Sequence, residues 1–486
     1  MLKRRKSDRR GPARDGAPGT PLGGAEPWEA AAGGARGGTA GAKAAPKRER
    51  RARQLAEHWW NRLIEAVYDR SFSEQTELYA SNQGTLDYVL NTIGQGAWGV
   101  LFPLLTVVAT QLAGAEDAGM FTMAFVTATM LMYIGNYGVR TFQVSDLEEN
   151  ESFSAYVIQR VMTCVLMMGV GYLYCRVRGY TGPMYTICLA VFTYRMVDAL
   201  ADVYEGRLQQ VDKLYLAGIS MGIRSVLAVV VFSVLLFVTR SLAVASVAMA
   251  VCAVASFVVV TLPLTLFETP KSRAPELVEI KELFVDCFPA FAGVFLYALI
   301  DNVPKFVMER TLSYDNQTYF NAIYFCSNSI LMMAGLVYKP QIVRLSSIWN
   351  DRSRRARFDL IIAGMLVLVA VIVAVMLVFT GLVGVPLNGL LYATDFERFR
   401  TQSYLMVVAG GLAAGADFLF QILTVLRYQG AATLIYVIGF GVALVLSLVL
   451  VRTLGFDGAV WAYLVSHVVL FALFVARYVV IRVKSR

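Results

Sequence analysis

Charge is scarce in this sequence: 16% of the 486 residues are charged against 57% hydrophobic, with a mean hydropathy of +0.56. A soluble domain of that make-up would be hard to keep in solution. Cysteine is sparse too. The six (Cys164, Cys175, Cys188, Cys252, Cys287 and Cys326) lie in or beside apolar segments, and no CxxC occurs. They read as small packing residues, neither a disulfide framework nor metal ligands. No Gly-rich phosphate loop with its lysine appears, so nothing demands ATP. There is no metal-ligand cluster, no nucleophile constellation and no loop of domain size, which argues against a membrane-embedded glycosyl polymerase or ligase. The expectation is a protein that is not an enzyme and needs no cofactor.

Apolar runs take the place of those features. A helix needs roughly 20 apolar residues to cross a bilayer. Twelve segments qualify: 86–112, 119–144, 155–176, 184–205, 215–238, 242–267, 283–309, 317–344, 359–383, 402–427, 431–452 and 457–482. The fold expected is all-α and integral to the membrane, with about 12 transmembrane helices in two parallel six-helix lobes around a central cavity. Six spans per half make the second half enter the membrane in the same direction as the first, and sites in such repeats lie between the halves. The domain plan is a basic, disordered cytoplasmic tail (1–53), an amphipathic interfacial helix with linker (54–85), an N-lobe (86–267), a cytoplasmic linker (268–282) and a C-lobe (283–486).

The tail holds 14 Lys or Arg and 5 Asp or Glu, an excess equal to the whole net charge of +9. Its Gly, Ala and Pro content leaves too little apolar surface to fold, and it lacks the apolar core of a cleaved signal. Attachment to anionic lipid is one reading; a disordered orienting tail is the plainer one, and no nucleic-acid partner is expected. Leu55, Trp59, Leu63 and Val67 recur every four residues, as in a helix lying on the membrane surface. Basic segments stay cytoplasmic. Lys271, Arg273 and Lys281, the arginines of 344–357, and Arg482, Lys484 and Arg486 agree with both ends inside. The longest external loop expected is 384–401.

Polar residues recur in matched spans. Span four carries Arg195, Asp198, Asp202, Glu205 and Gln209 at spacings of three and four, one stripe down one face. Arg195 and Asp198 can pair at i,i+3, while Asp202 and Glu205 lie near the cytoplasmic end, where they can snorkel to water. Span two carries Asn136, Arg140 and Gln143, and span one Asn91 and Gln95. In the second half, span seven carries Tyr297, Asp301, Lys305 and Glu309, span eight Asn321, Tyr324 and Asn328, and span ten Asp417 and Gln421. Span five adds Ser220 and Arg224. Charge in hydrocarbon is expensive and normally faces a bundle interior or a watery cavity. Internal salt bridges, Arg195–Asp198 and Asp301–Lys305, are the bland alternative; recurrence in six matched spans favours the cavity. His467 stands alone in span twelve and reads as hydrogen-bonded packing. Cations at several depths suit a phosphate-bearing substrate. Asp198, Asp301 and Asp417 are candidates for charge balance or for a coupling H⁺ or Na⁺.

Two strings carry a resemblance. GVRTFQVSD (138–146) closes span two, and DVYEGRLQQVDKLYLAGISMGIR (202–224) joins spans four and five. Over roughly 86–482 the chain resembles the bacterial polysaccharide and O-antigen (Wzx-like) flippases of the multidrug, oligosaccharidyl-lipid and polysaccharide exporter superfamily. The resemblance implies two lobes in a V about a cationic cavity, in the bacterial cytoplasmic membrane. It implies alternating access for a lipid-linked oligosaccharide loaded from the cytoplasmic leaflet. On that footing Arg140, Arg195, Arg224 and Lys305 are candidates for the pyrophosphate and sugar path. Asn321, Tyr324 and Asn328 would meet sugar hydroxyls. The partners implied are the lipid-linked oligosaccharide, membrane lipids, an H⁺ or Na⁺ gradient, and polysaccharide polymerase or glycosyltransferase machinery. Twelve spans, not fourteen, argue against a peptidoglycan-precursor role. A cation-coupled drug or metabolite antiporter on the same fold is the alternative.

Overall fold

The computed structural model describes residues 72–484 apart from 147–148, 339–344, 346–347, 350–354 and 427, and side chains from Asp87 onward. The expected tail and the surface helix fall outside these residues. Residues 72–85, expected as linker, continue the first span as one helix.

The described chain is all-helical. The spans are α1 (Phe72–Ala113), α2 (Ala115–Asn136), α3 (Phe153–Arg178), α4 (Gly182–Gln210), α5 (Leu214–Thr239) and α6 (Leu242–Glu268). The second set is α7 (Leu277–Thr311), α8 (Asp315–Tyr338), α9 (Arg357–Leu391), α10 (Arg400–Val425), α11 (Gln429–Leu454) and α12 (Phe456–Lys484). Eleven of them are long and apolar enough to cross a membrane; α4 is the exception, because its second half carries the charged stripe. The segment 384–401 is mostly structured, α9 reaching Leu391 and a 3₁₀ turn spanning Phe396–Phe399.

Packing repeats after six spans. α1 lies on α5 as α7 lies on α11; α2 and α6 flank α4 as α8 and α12 flank α10. Each lobe has its own apolar core, one around Phe121, Phe125, Phe192 and Phe232, the other around Phe358, Phe418, Leu419 and Phe474. The lobes meet where α2 touches α7 and α8, and where α3 touches α7.

Local breaks follow from local chemistry. Tyr137 and Gly138 adopt left-handed backbone (φ 47° and 68°), ending α2 and starting the short helix Val139–Ser145. The Ser152 hydroxyl caps α3 by accepting from Ala155 N at 3.1 Å. Proline removes backbone donors from the long helices: α7 contains Pro289 and Pro304, and α6 and α9 each take a π-turn (Phe257–Thr261 and Thr380–Gly384) just before a proline. The α1–α5 contact is backbone against backbone, since a Cβ on Gly218 would lie 2.5 Å from the Leu90 carbonyl oxygen. Small residues allow such approach in membranes. Gly218→Ala is therefore expected to lower stability by about 1–3 kcal/mol. Gly364→Ala, with nothing near its Cβ, should be neutral; thermal unfolding of both variants in detergent checks the contrast.

Candidate functional site

The stripe on α4 does not stand open; it zips against its neighbours. In the middle of the N-lobe, Arg195 Nη1 lies 2.9 Å from Asp198 Oδ2, and Arg224 of α5 puts Nε 2.8 Å from Asp198 Oδ1. Arg224 Nη1 also reaches Glu205 Oε1 at 2.9 Å. Trp98 of α1 donates to Asp198 at 3.2 Å, and Ser220 to Glu205 at 3.1 Å. The Arg195 guanidinium rests 4.4 Å from the Phe125 ring centroid and 5.0 Å from that of Trp98. All four charged side chains are buried, and two cations meet two anions. Glu205 does not snorkel to water, because Arg224 reaches it inside the lobe.

A second cluster sits toward the end of the bundle that bears Lys271, Arg273 and Arg482, here termed the basic end. Asp202 receives Arg140 at 2.7 Å and Arg160 at 3.0 Å. Arg140 also donates to Gln209 at 2.9 Å, and Arg160 to Asn136 at 2.6 Å. Gln143 donates to the Val203 carbonyl at 2.8 Å. The polar faces of α2, its short extension and α4 thus satisfy one another. Two guanidiniums share one carboxylate. Arg160 is fully buried, whereas Arg140 keeps a quarter of its side chain exposed. Arg160 was missed in the sequence; a lone arginine near the start of span three was its only signal.

In the C-lobe the Asp301–Lys305 ion pair, the alternative to a cavity, does not form. Asp301 accepts from Tyr324 of α8 at 2.6 Å and from Tyr463 of α12 at 2.8 Å. Lys305 Nζ turns to Asn302 Oδ1 at 3.0 Å and lies 3.6 Å from the Tyr324 ring centroid. The tyrosine hydroxyls reach the carboxylate first and leave the amine to the ring face. Asn321 donates to the Gln317 carbonyl at 2.9 Å and is buried; Asn328 is half-buried beside Met332. Asp417 receives the Tyr338 hydroxyl. His467 packs on Tyr463. The residues of the candidate path are thus distributed: Arg195 and Arg224 in an N-lobe network, Arg140 in a cluster at the basic end, and Lys305 and Tyr324 in a C-lobe cluster.

Contacts across the lobes join α3 to α7 at both ends. At the basic end Ser152 Oγ donates to Glu279 at 2.7 Å, Arg273 pairs with Glu279, and Tyr137 stacks on Phe291 with centroids 4.6 Å apart. Burial and the carboxylates of Glu279, Glu282 and Asp146 push the nearby Glu151 carboxyl up. At the far end Arg178 holds Glu309 at 2.6 Å, joined by Tyr174 and Tyr180. Gln111 of α1 donates to the Leu391 carbonyl at 2.7 Å, and Thr318 of α8 to the Ala115 carbonyl at 2.9 Å. On the other side, α1 and α8 touch briefly near Gly99 and Met332; toward the basic end Gln95 and Met333 stay exposed.

No protein-family model matches the sequence. The capsular polysaccharide biosynthesis protein CapF of Staphylococcus aureus is 24% identical over 254 residues, which cover 50% of this chain and 61% of CapF. The chain therefore spans less than two thirds of that relative's length. Among solved structures, an inward-facing multidrug resistance MATE family transporter of the MOP superfamily aligns over 82% of this chain and 100% of its own, with a TM-score of 0.56 at 13% identity. A variant of the Vibrio cholerae MATE transporter VcmN aligns over 82% of this chain and 98% of its own, with 0.54 at 15% identity. A Pyrococcus furiosus MOP superfamily transporter, described as having a binding pocket of reverse polarity, covers 82% and 94%, with 0.51 at 13% identity. The chain has the fold of these transporters.

Breaking a buried ion network by removing one partner strands the other charge, at about 3–5 kcal/mol. Arg224→Met is expected to cost that much, because it deprives both Asp198 and Glu205. Arg195→Met should cost less, since Arg224 and Trp98 still serve Asp198. Thermal unfolding of the two variants in one detergent measures the difference.

Proposed function

We propose that the chain is a flippase that moves polyprenyl-pyrophosphate-linked oligosaccharide from the inner to the outer leaflet of the bacterial cytoplasmic membrane. The product would feed surface-polysaccharide assembly, and the lobes would work by alternating access. The observation that carries this reading is the charge imbalance at Asp202. One carboxylate serves two guanidiniums, and the exposed one, Arg140, lies toward the basic end. Lys271, Arg273 and Arg482 favour a cytoplasmic side for that end, since basic segments beside spans tend to stay inside. A pyrophosphate arriving from the inner leaflet meets a fork of N–H donors with positive charge to spare, and guanidinium binds phosphate oxygens two at a time. Arg195 and Arg224 are neutralised within the lobe, which moves the first phosphate contact from mid-α4 to Arg140.

Two further points support it. The likeness to a capsular polysaccharide biosynthesis protein points toward polysaccharide. Between α1 and α8, which touch briefly near Gly99 and Met332, a lipid-borne sugar would have a way in while its apolar tail stays in hydrocarbon. The alternative, a cation-coupled drug or metabolite antiporter, is favoured by the fold shared with multidrug transporters. Such a substrate needs carboxylates to spare, and Asp198 and Asp202 are already engaged by arginine.

Proteoliposomes loaded with fluorescent polyprenyl-pyrophosphate oligosaccharide test the reading through protection of the label from an external quencher. Arg140→Gln is expected to slow flipping about tenfold or more, the loss of one charged hydrogen bond being worth about 1.5–3 kcal/mol. Arg195→Met, where folded, should flip close to the unaltered rate. Ion-driven efflux of cationic dyes with no flipping by the unaltered protein would move it to the antiporter reading.

A further inference from the structure

α3 and α4 run antiparallel, and three contacts set their register. Arg160 reaches Asp202 at 3.0 Å, and the Cys164 thiol lies 4.0 Å from the Met196 carbonyl oxygen. Gly171 comes so close to Phe192 that a Cβ on it would lie 2.8 Å from the ring. One turn further from the basic end on each helix, the same register sets Cys175 against Cys188. Their side chains are hydrogen-bonded to each other, and both residues are 0% exposed. Both are free thiols in the structure. A glycine at the crossing lets two helices approach closely, which brings opposed thiols within the short reach that a disulfide demands. Along the chain all six cysteines read as packing residues; the helix register gives two of them a partner.

The pair sits beneath the contact that joins the lobes at the far end. The Cys175 carbonyl accepts from the Tyr180 N–H at 3.0 Å, and Gly179, at φ 70°, ends α3. Tyr174, Arg178 and Tyr180 hold Glu309 of α7. The residues that grasp the C-lobe are therefore carried by the last turn of α3 and the turn after it, and Cys188 is the residue that α4 sets against that turn. A bond there would fasten the base of the clamp without touching its charges.

We infer that Cys175 and Cys188 close into a disulfide on the outer side of the membrane, fastening the α3–α4 turn from which the clamp reaches Glu309. This rests on the far end facing away from the cytoplasm, the orientation favoured by the basic residues at the other end, and not on the identity of the substrate. Disulfides form and persist in such oxidising surroundings. The step is thiol–disulfide exchange with an external protein disulfide oxidant. One thiol loses its proton, and its thiolate displaces one sulfur of the oxidant's S–S bond. The second thiolate attacks the mixed disulfide, which forms the Cys175–Cys188 bond. The oxidant leaves as a dithiol, carrying away two electrons and two protons. Neither thiol is open to solvent once α3 and α4 have packed, so the exchange belongs to the interval before packing, and the finished bond is shielded from reductant. Closing this short loop also removes freedom from the unfolded chain, which raises stability.

The test uses the full chain in bacterial membranes. The membranes are dissolved in denaturant with N-ethylmaleimide; the protein is then reduced, labelled with a second, heavier maleimide and digested. The expected result is first label on Cys164, Cys252, Cys287 and Cys326 and second label on Cys175 and Cys188, with their two peptides joined before reduction. Cys188→Ser should move Cys175 into the first group. In detergent, reductant should lower the unfolding temperature of the unaltered protein and leave that of the Cys175→Ser, Cys188→Ser double variant unchanged. First label on Cys175 and Cys188 of the unaltered protein, or a bond joining either to another cysteine, overturns the inference. If the double variant does not fold, the labelling of the unaltered protein still decides it. The bond found in a protein that fails to flip lipid-linked oligosaccharide would support this inference and overturn the substrate reading.

Discussion

The cost of placing charge out of water governs this structure. A guanidinium in the middle of a helical lobe is tolerable only with carboxylates against it, and Arg224 is the residue that meets that demand twice, at Asp198 and at Glu205. Through it α4 and α5 are tied, and through Trp98 so is α1. The apolar cores fill the remaining space, but helix order and rotation within the N-lobe follow from which acid must face which base. The second lobe meets the same demand by other means. It uses tyrosine hydroxyls on Asp301 and Asp417 where the first uses guanidinium.

Much of the fold was legible in the sequence because the bilayer imposes a length on every apolar run. Even α4, which the stripe makes the least apolar span, was found from its flanks and its 3–4 spacing. The stripe was read as lining a cavity, whereas Asp198 and Glu205 are closed over by arginine within the lobe. What spacing does not reveal is the partner. Arg195 and Asp198 share a helix, so their pairing could be foreseen from i,i+3 geometry. Arg224 with Asp198, and Arg160 with Asp202, join different helices, and only the folded chain brings them together. The Asp301–Lys305 pair shows the converse. The i,i+4 spacing allowed a pair that does not form, since Tyr324 and Tyr463 arrive from α8 and α12 with hydroxyls aimed at the acid. The candidate site was therefore legible as a set of residues and not as a network. Neutralisation of Arg195 and Arg224, which shifts attention to Arg140, is a property of the network.

The repeat is faithful in packing and unfaithful in chemistry. Helix neighbours recur six spans later, so each lobe is built on one scaffold. Polar contents do not recur: an arginine-rich interior faces a tyrosine-rich one. The halves share a shape and differ in how they satisfy buried charge, one with guanidinium on carboxylate and the other with phenol on carboxylate.

Glu279 and Glu309 stand at opposite ends of α7, and both are grasped from α3 or its flanking turns. A seam fastened at top and bottom does not gape; it behaves as the spine of a book. Opening then belongs to the fore-edge, where α1 and α8 barely touch. On the flippase reading proposed above, a long lipid chain would trail from the page edge through the whole cycle without being threaded between the covers.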